Sequence, residues 1–488
     1  KSAVRSNQMK KIHIFVITLV VIITVGLRLY RINAPIADWH SFRQVDTASV
    51  AKFFVQNGID VMHPRYHDLS NIQSGKDNPE GWRMVELPIY QAFAASLARS
   101  MPSIPLDIWL RVVTISAAAG TALLLMLMLF QVGSPGVALL TGIIYAILPY
   151  SVFFGRTVLP ETFAVFWAIF SVYLVLLATK MSERTWWYIL AAAVAGAVAL
   201  LVKPTVGFLL LPVPYLVIRH LRISIKTLMQ LSVYAVIALV PLLWWRNWIA
   251  QFPEGIPVYE WLLNKDNIRF KGAWFHWLFA KRIGELLLGF WGLIPFGIGL
   301  LSQGEKKEGW LSHIFGFGSL LYIAVFAAGN VQHDYYQILL LPAVSIYTAK
   351  GLMWMFSEKR FSILSRVGVI SVCLLFMLAF SWFTMRTYYW INRPEIIEAG
   401  VAADRLLPKE AKVIAPYNGD TTFLYQTGRQ GWPLGFDIDE KIAMGATHYV
   451  TVSPTDADFE TMELAKKYTV LVRNDRYAII DLTRLSTP

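Results

Sequence analysis

Charge is scarce in this 488-residue chain. Asp, Glu, Lys and Arg together make up 16% of it and hydrophobic residues 56%, against about 25% charged residues in an ordinary soluble domain. With a mean hydropathy of +0.49, this shortage excludes a soluble fold, because no water-surrounded globule of this size hides so much apolar surface. Cysteine is nearly missing: Cys373 stands alone inside an apolar run, which excludes a disulfide framework. No repeat of about 20–50 residues is visible. The net charge of +12 invites a nucleic-acid partner, but the basic residues lie between apolar runs and form no basic domain. They are topology signals, and nucleic acid is excluded as the substrate.

Apolar runs near 20 residues recur, the length that crosses about 30 Å of hydrocarbon. Backbone groups in lipid must be satisfied within the segment, so the runs are helices. The pattern predicts an α-helical polytopic membrane protein with about eleven crossings, at 12–30, 108–130, 135–154, 160–179, 186–202, 204–219, 228–249, 284–302, 310–328, 335–356 and 362–384. The fifth and sixth are parted only by Lys203-Pro204 and read equally well as one broken element. The first run follows Lys10-Lys11; Arg28, Tyr30 and Arg31 stand where a signal peptide would need a small-residue cleavage site, so it reads as a retained helix. With the N-terminus in the cytoplasm, alternation puts four short basic loops inside: Lys180 and Arg184; Arg219, Arg222 and Lys226; Lys306 and Lys307; Lys359, Arg360 and Arg366. The positive-inside rule asks for this. Segments 31–107, 155–160, 250–283 and 329–334 then lie outside, with everything beyond about 390.

Residues 1–389 thus read as a transmembrane domain and 390–488 as a small exoplasmic α/β domain. In the tail, strand-length runs at Lys412–Ala415, His448–Val452, Thr469–Val472 and Tyr477–Asp481 alternate with helical patterns at Pro394–Leu407 and Asp458–Lys467. The tail has no Gly-rich phosphate loop and no metal-ligand spacing. In the first outer loop, 46–56 and 86–100 read as amphipathic helices lying in the membrane interface.

Ionisable residues beside a bilayer are expensive and need a reason. The densest set is Asp38-Trp39-His40-Ser41-Phe42-Arg43-Gln44-Val45-Asp46-Thr47, followed later by Glu86. A carboxylate there can act as general base on a hydroxyl or amine, while Arg43 and His40 can hold a phosphate and stabilise its developing charge. Asp38 and Asp46 also read as helix caps, Asp46 especially, and Arg43 as a ligand of lipid headgroups. Arg156 and Glu161 flank the turn before Pro160. Glu161 suits a first helical turn, or the pair walls an outward cavity. Lys203 either snorkels or binds phosphate. His333, Tyr335 and Tyr336 open a late helix, as interfacial belt residues or as part of a polar site. His-Asp at 333–334 is too short to argue for a metal.

These residues, in this order on this threading, resemble the GT-C class of membrane glycosyltransferases, most closely bacterial relatives of protein O-mannosyltransferases and of the lipid A aminoarabinose transferase. The resemblance rests on the first outer loop, Glu86-Leu87-Pro88, Arg156-Thr-Val-Leu-Pro-Glu161, His333-Asp-Tyr-Tyr336 with Pro342, and Tyr425-Gln-Thr-Gly-Arg-Gln-Gly-Trp432. It implies transfer of a sugar from a polyprenyl-phosphate donor, at the outer face of a bacterial plasma membrane, to a lipid, glycan or protein acceptor. The transfer would invert the anomeric centre. A first-loop aspartate would assist the acceptor; Asp38 is favoured over Asp46, with Glu86 as the second acidic position. Arg43, Lys203 and His333 would hold the donor phosphate. The family's Asp-Glu pair in this loop is missing. No metal cofactor is required by this chemistry, and nothing in the sequence supports one. A transporter or a non-catalytic scaffold is the alternative. The first usually shows internal pseudo-symmetry and midplane charges; the second does not need acidic residues in several outer loops.

Overall fold

The computed structural model describes residues 2–180, 184–302, 306–454 and 458–486, with side chains from residue 11 onward. Eight described helical stretches are long and apolar enough to cross a membrane: Lys11–Arg28, Leu106–Val132, Pro160–Ala178, Thr185–Val202, Pro204–Leu221, Ile225–Ile249, Asp334–Ser357 and Ile363–Tyr389. Pro135–Ile147 and Leu311–Val325 are shorter and apolar. The chain is a multi-pass membrane protein. Its backbone divides into two compact units.

The first unit comprises 1–32, 111–246 and 259–388 and is helical. Prolines punctuate it. Pro149 parts helix Pro135–Ile147 from Pro149–Phe154, and Leu148 between them is non-helical. Lys203 is extended (φ −152°, ψ 101°) before Pro204, where a 3-10 turn Pro204–Leu210 leads into helix Pro212–Leu221. This follows from the clash of a proline ring with a preceding α-conformation, and it settles the fifth and sixth runs as a broken pair. The predicted helix 284–302 is also divided. A π-helix, His276–Leu287, passes through Gly289 (φ +48°) into helix Leu293–Leu301. A Cβ on Gly289 would meet the Met377 carbonyl at 2.3 Å, so the close approach admits only glycine.

The second unit comprises 33–110, 247–258 and 389–488. The tail that dominates it is a five-stranded sheet in the order β2-β1-β3-β5-β4. The strands are β1 (Lys412–Ile414), β2 (Gln430–Trp432), β3 (His448–Thr451), β4 (Tyr468–Arg473) and β5 (Ala478–Leu485). β1 pairs parallel with β2 and β3; β5 is antiparallel to β3 and β4. Alternating side chains split between two cores, as strand geometry requires. Val413, Val450 and Ile479 pack under helix Glu395–Leu406 through Ile396, Ala399 and Ala403. Ile414, Tyr449 and Ile480 pack with Leu464 of helix Phe459–Lys467. The sheet therefore has helices on both faces.

First-loop residues extend this sheet. The Leu69 amide donates to the Gly431 carbonyl (2.8 Å) and the Gly431 amide to the His67 carbonyl (2.9 Å), making a parallel bridge beside β2. β2 and this added rung were not apparent in the sequence. The first loop also carries helices Ser41–Asn57 and Ile89–Ser100. The former begins five residues before the predicted start. Asp46 is therefore an interior helical residue and caps nothing; His40 holds the N-cap position, in the left-handed region (φ 55°, ψ 33°).

Candidate functional site

In the second unit, helix Ser41–Asn57 presents its acidic and basic side chains one turn apart. Arg43 and Asp46 are both buried. The irregular stretch 64–88 supplies their partners. Arg43 Nη2 lies 3.0 and 3.1 Å from the two oxygens of Glu86, and Gln91 donates to Glu86 Oε1 at 3.2 Å. Asp46 Oδ2 receives Arg83 Nη2 at 3.0 Å and Gln73 Nε2 at 3.0 Å. Its other oxygen receives the Thr421 hydroxyl of the tail at 2.8 Å. Thr422 donates to the Ser41 hydroxyl at 2.9 Å. The first loop and the tail are thus joined side chain to side chain.

Asp38 occupies a different setting. Its Oδ1 accepts from Gln44 Nε2 at 2.8 Å, and it lines a cavity of about 130 Å³ with Trp39, His40, Trp390, Arg393 and Tyr417. The His40 ring packs edge-on against Trp39 and Phe42. A non-glycine residue held at positive φ is strained and is often found where the fold fixes a side chain for function. Trp39 and Trp390 are 42% and 56% exposed. The cavity therefore offers aromatic faces, an imidazole and a carboxylate to an entering molecule.

Two carboxyls missed in the sequence belong to the same unit. Burial, aided by Asp46, pushes the Asp68 carboxyl up to about 7, against the hydrogen bonds from Ser70 and the charge of Arg83. Burial likewise raises Asp420, which lies within the field of Asp46. Arg83 is the cation common to Asp46 and Asp68. Nothing in its neighbourhood, Trp82-Arg83-Met84, marks it in the sequence.

The first unit collects the other expected residues. Glu161 follows Pro160 in the first turn of helix Pro160–Ala178 and is fully buried. Lys203, at the helix break, places Nζ 2.5 Å from Glu161 Oε1 and 5.2 Å from the centre of the Tyr336 ring. His333 stacks among Trp261, Tyr335 and Tyr336, with ring centres 5.4 to 5.7 Å apart. Glu161, Lys203, Tyr336, His333 and Tyr335 form one chain of contacts. Arg156 packs over Phe153. Asp334, beside His333, is the more connected residue: Tyr388 donates to its carboxylate, Arg282 Nη1 lies 3.7 Å from it, and Tyr150 donates to its carbonyl at 2.6 Å. Arg28 is also fully buried. It donates to the carbonyls of Thr24, Tyr145, Ala146 and Ser151, two of them at the helix end before Pro149, where the helix dipole favours a cation. Among the described residues, no three His, Cys, Asp or Glu side chains gather as a metal site.

Residues 80–280 match the family model "Dolichyl-phosphate-mannose-protein mannosyltransferase". No curated protein sequence matches the chain. Among solved structures, ArnT from Cupriavidus metallidurans bound to undecaprenyl phosphate is similar over 99% of both chains, with a TM-score of 0.63 at 13% identity. The oligosaccharyltransferase of Archaeoglobus fulgidus is similar over 93% of this chain and 71% of its own, with a TM-score of 0.56 at 10% identity. The mycobacterial arabinofuranosyltransferase AftD is similar over 95% of this chain and 41% of its own, with a TM-score of 0.58 at 12% identity. The fold is that of the GT-C membrane glycosyltransferases, as the ordered motifs implied.

Proposed function

We propose that this protein is a glycosyltransferase that moves a sugar from a polyprenyl-phosphate carrier to a lipid, glycan or protein acceptor. We place the reaction at the outer face of a bacterial plasma membrane, with the N-terminus in the cytoplasm and the tail outside. The observation that carries the reading is Asp38 on the wall of an open cavity flanked by Trp39, Trp390 and Tyr417, in a chain whose fold follows a structure bound to undecaprenyl phosphate along its whole length. Asp46 and Glu86 are each tied to an arginine, Arg83 and Arg43 respectively.

In the proposed reaction Asp38 takes the proton of the acceptor hydroxyl or amine as general base. The acceptor atom bonds to the anomeric carbon as the bond to the phosphate oxygen breaks. The electron pair leaves with the polyprenyl phosphate, and the anomeric centre inverts. The family resemblance assigns Lys203 and His333 to the phosphate charge, as N–H donors. The leaving group already carries its own stabilised negative charge, so the mechanism asks for no metal ion.

The test uses the purified protein in lipid nanodiscs with a radiolabelled sugar on polyprenyl phosphate. Label is expected to leave the carrier for an acceptor, and Asp38→Asn should lower the rate by about 10²–10⁴-fold, the usual share of a general base. Full turnover in Asp38→Asn would remove the assignment. Label that crosses a bilayer with its carrier bond intact would favour the transporter.

A further inference from the structure

The tail sheet reverses direction within its parallel part. From β1 the chain passes through helix Thr422–Thr427 to β2 on one side, then through helix Ile438–Ala443 to β3 on the other. In open α/β sheets, the crevice outside the carboxyl ends of two strands that part in this way is the general place for a ligand, because the two connections leave in opposite directions and open a gap. This tail has a cavity there. Pro416, Tyr417 and Asn418 follow β1. Thr451, Val452 and Ser453 end and follow β3. Arg393, Tyr449, Asp458 and Glu460 close the wall, and the space is about 200 Å³.

The wall is held in place. Tyr449 donates to Glu460 Oε2 at 3.3 Å, the Ser453 amide to Thr451 Oγ1 at 3.0 Å, and Arg473 Nε to the Pro454 carbonyl at 3.0 Å. Thr461 donates to one oxygen of Asp458. Gly435 lies against the same wall, where a Cβ would come within 2.5 Å of Glu460 Oε2 and 3.0 Å of Pro416. Burial, with Asp458 nearby, raises the Glu460 carboxyl above its ordinary range.

The chemistry of the lining selects the ligand. Two carboxylates face one guanidinium, Arg393, which is already paired with Glu395, so the balance disfavours phosphates and other anions, and no Gly-rich turn offers backbone amides to one. Carboxylates, hydroxyls and an amide in a ring around two tyrosines suit a compound with many hydroxyls and an apolar ring face. The volume falls below the roughly 300–1,000 Å³ of pockets for drug-sized ligands, which limits the occupant to about one ring. We propose that the carboxyl ends of β1 and β3 form a carbohydrate-binding site, for one sugar ring that is neutral or carries an amino group. The site is built from tail residues, two of which, Arg393 and Tyr417, also line the Asp38 cavity.

Saturation-transfer NMR on the full-length protein in nanodiscs tests it, with methyl α-mannoside and methyl α-glucosaminide as probes. Saturation of at least one glycoside is expected, reduced about tenfold or more in Asp458→Asn/Glu460→Gln and retained in Asp38→Asn. A stronger signal from the glucosaminide would mark the amino group as the recognised feature; equal signals would mark the ring hydroxyls. Ser453→Trp, at the exposed rim, fills the mouth without touching either carboxylate and should abolish the signal even if the double variant fails to fold. Absence of saturation from both glycosides overturns the proposal. So does a signal that survives Ser453→Trp, or one that disappears in Asp38→Asn alone.

Discussion

The two units bury their ionisable residues in opposite ways. In the helical unit three of these residues sit where helices break: Glu161 after Pro160, Lys203 before Pro204, Asp334 at the start of a 3-10 turn. Each interruption frees backbone groups that lipid cannot satisfy, so interruption and charge coincide where protein can satisfy both. In the loop-and-tail unit, Arg43 and Asp46 lie in the first two turns of an unbroken helix, and their partners come from irregular chain and from a residue 375 positions away. Charge there is placed by tertiary pairing, with water as the alternative solvent. Glu161 and Lys203 thus meet at two helix breaks, whereas Asp46 in the second unit is shared among Arg83, Gln73 and Thr421.

Removing a partner should hurt the helical unit most. Lys203→Met leaves Glu161 buried and uncompensated, and a loss of about 3–5 kcal/mol is expected, seen as a lower thermal midpoint in detergent. Glu161→Gln/Lys203→Met should regain most of it. A double variant as unstable as the single one would show that the pair is not the stabilising unit.

A second contrast lies in pH dependence. Asp68 titrates near 7 in the folded chain and near 3.9 when unfolded. Between those values the unfolded chain gives up the proton and the folded chain keeps it. Stability therefore falls as pH rises through this window and levels off above it, by as much as about 4 kcal/mol. Urea midpoints of the tail, followed by tryptophan fluorescence at pH 5 and pH 8, should differ less in Asp68→Asn than in the parent. Equal slopes would contradict the burial of that carboxyl.

The smallest effect tests the distributed character of the second unit. Thr421→Val removes one of three groups bound to Asp46 while Arg83 and Gln73 remain, so a cost of about 1 kcal/mol is expected. A loss as large as that of Lys203→Met would erase the distinction between the two units.

Much of the tail was legible because strands announce themselves by short apolar runs: four of the five strands fall on the runs marked in the sequence. β2, Gln430-Gly431-Trp432, was not, since a three-residue strand centred on glycine has no periodicity. Only the fold gives that glycine a reason: a Cβ there would meet the Val413 carbonyl at 1.7 Å. The acidic cluster of the first loop was visible as a cluster, but its pairing was not. Arg43 stands with Glu86 and Asp46 with Arg83, and neither choice follows from spacing along the chain.

Composition and the roughly 20-residue length of the apolar runs determined by themselves that this protein lives in a bilayer, because the cost of an unsatisfied backbone in hydrocarbon leaves a helix as the only form for such a run. Lys203-Pro204 marked one helix break; the breaks before Pro149 and at Gly289 fall inside runs read as single helices, and Pro241 breaks none. Which carboxylate is neutralised by which guanidinium, which one faces a cavity, and where the tail opens a crevice were decided by tertiary structure alone. Those outcomes depend on distances between residues far apart in sequence, and Coulomb and hydrogen-bond energies vary with those distances.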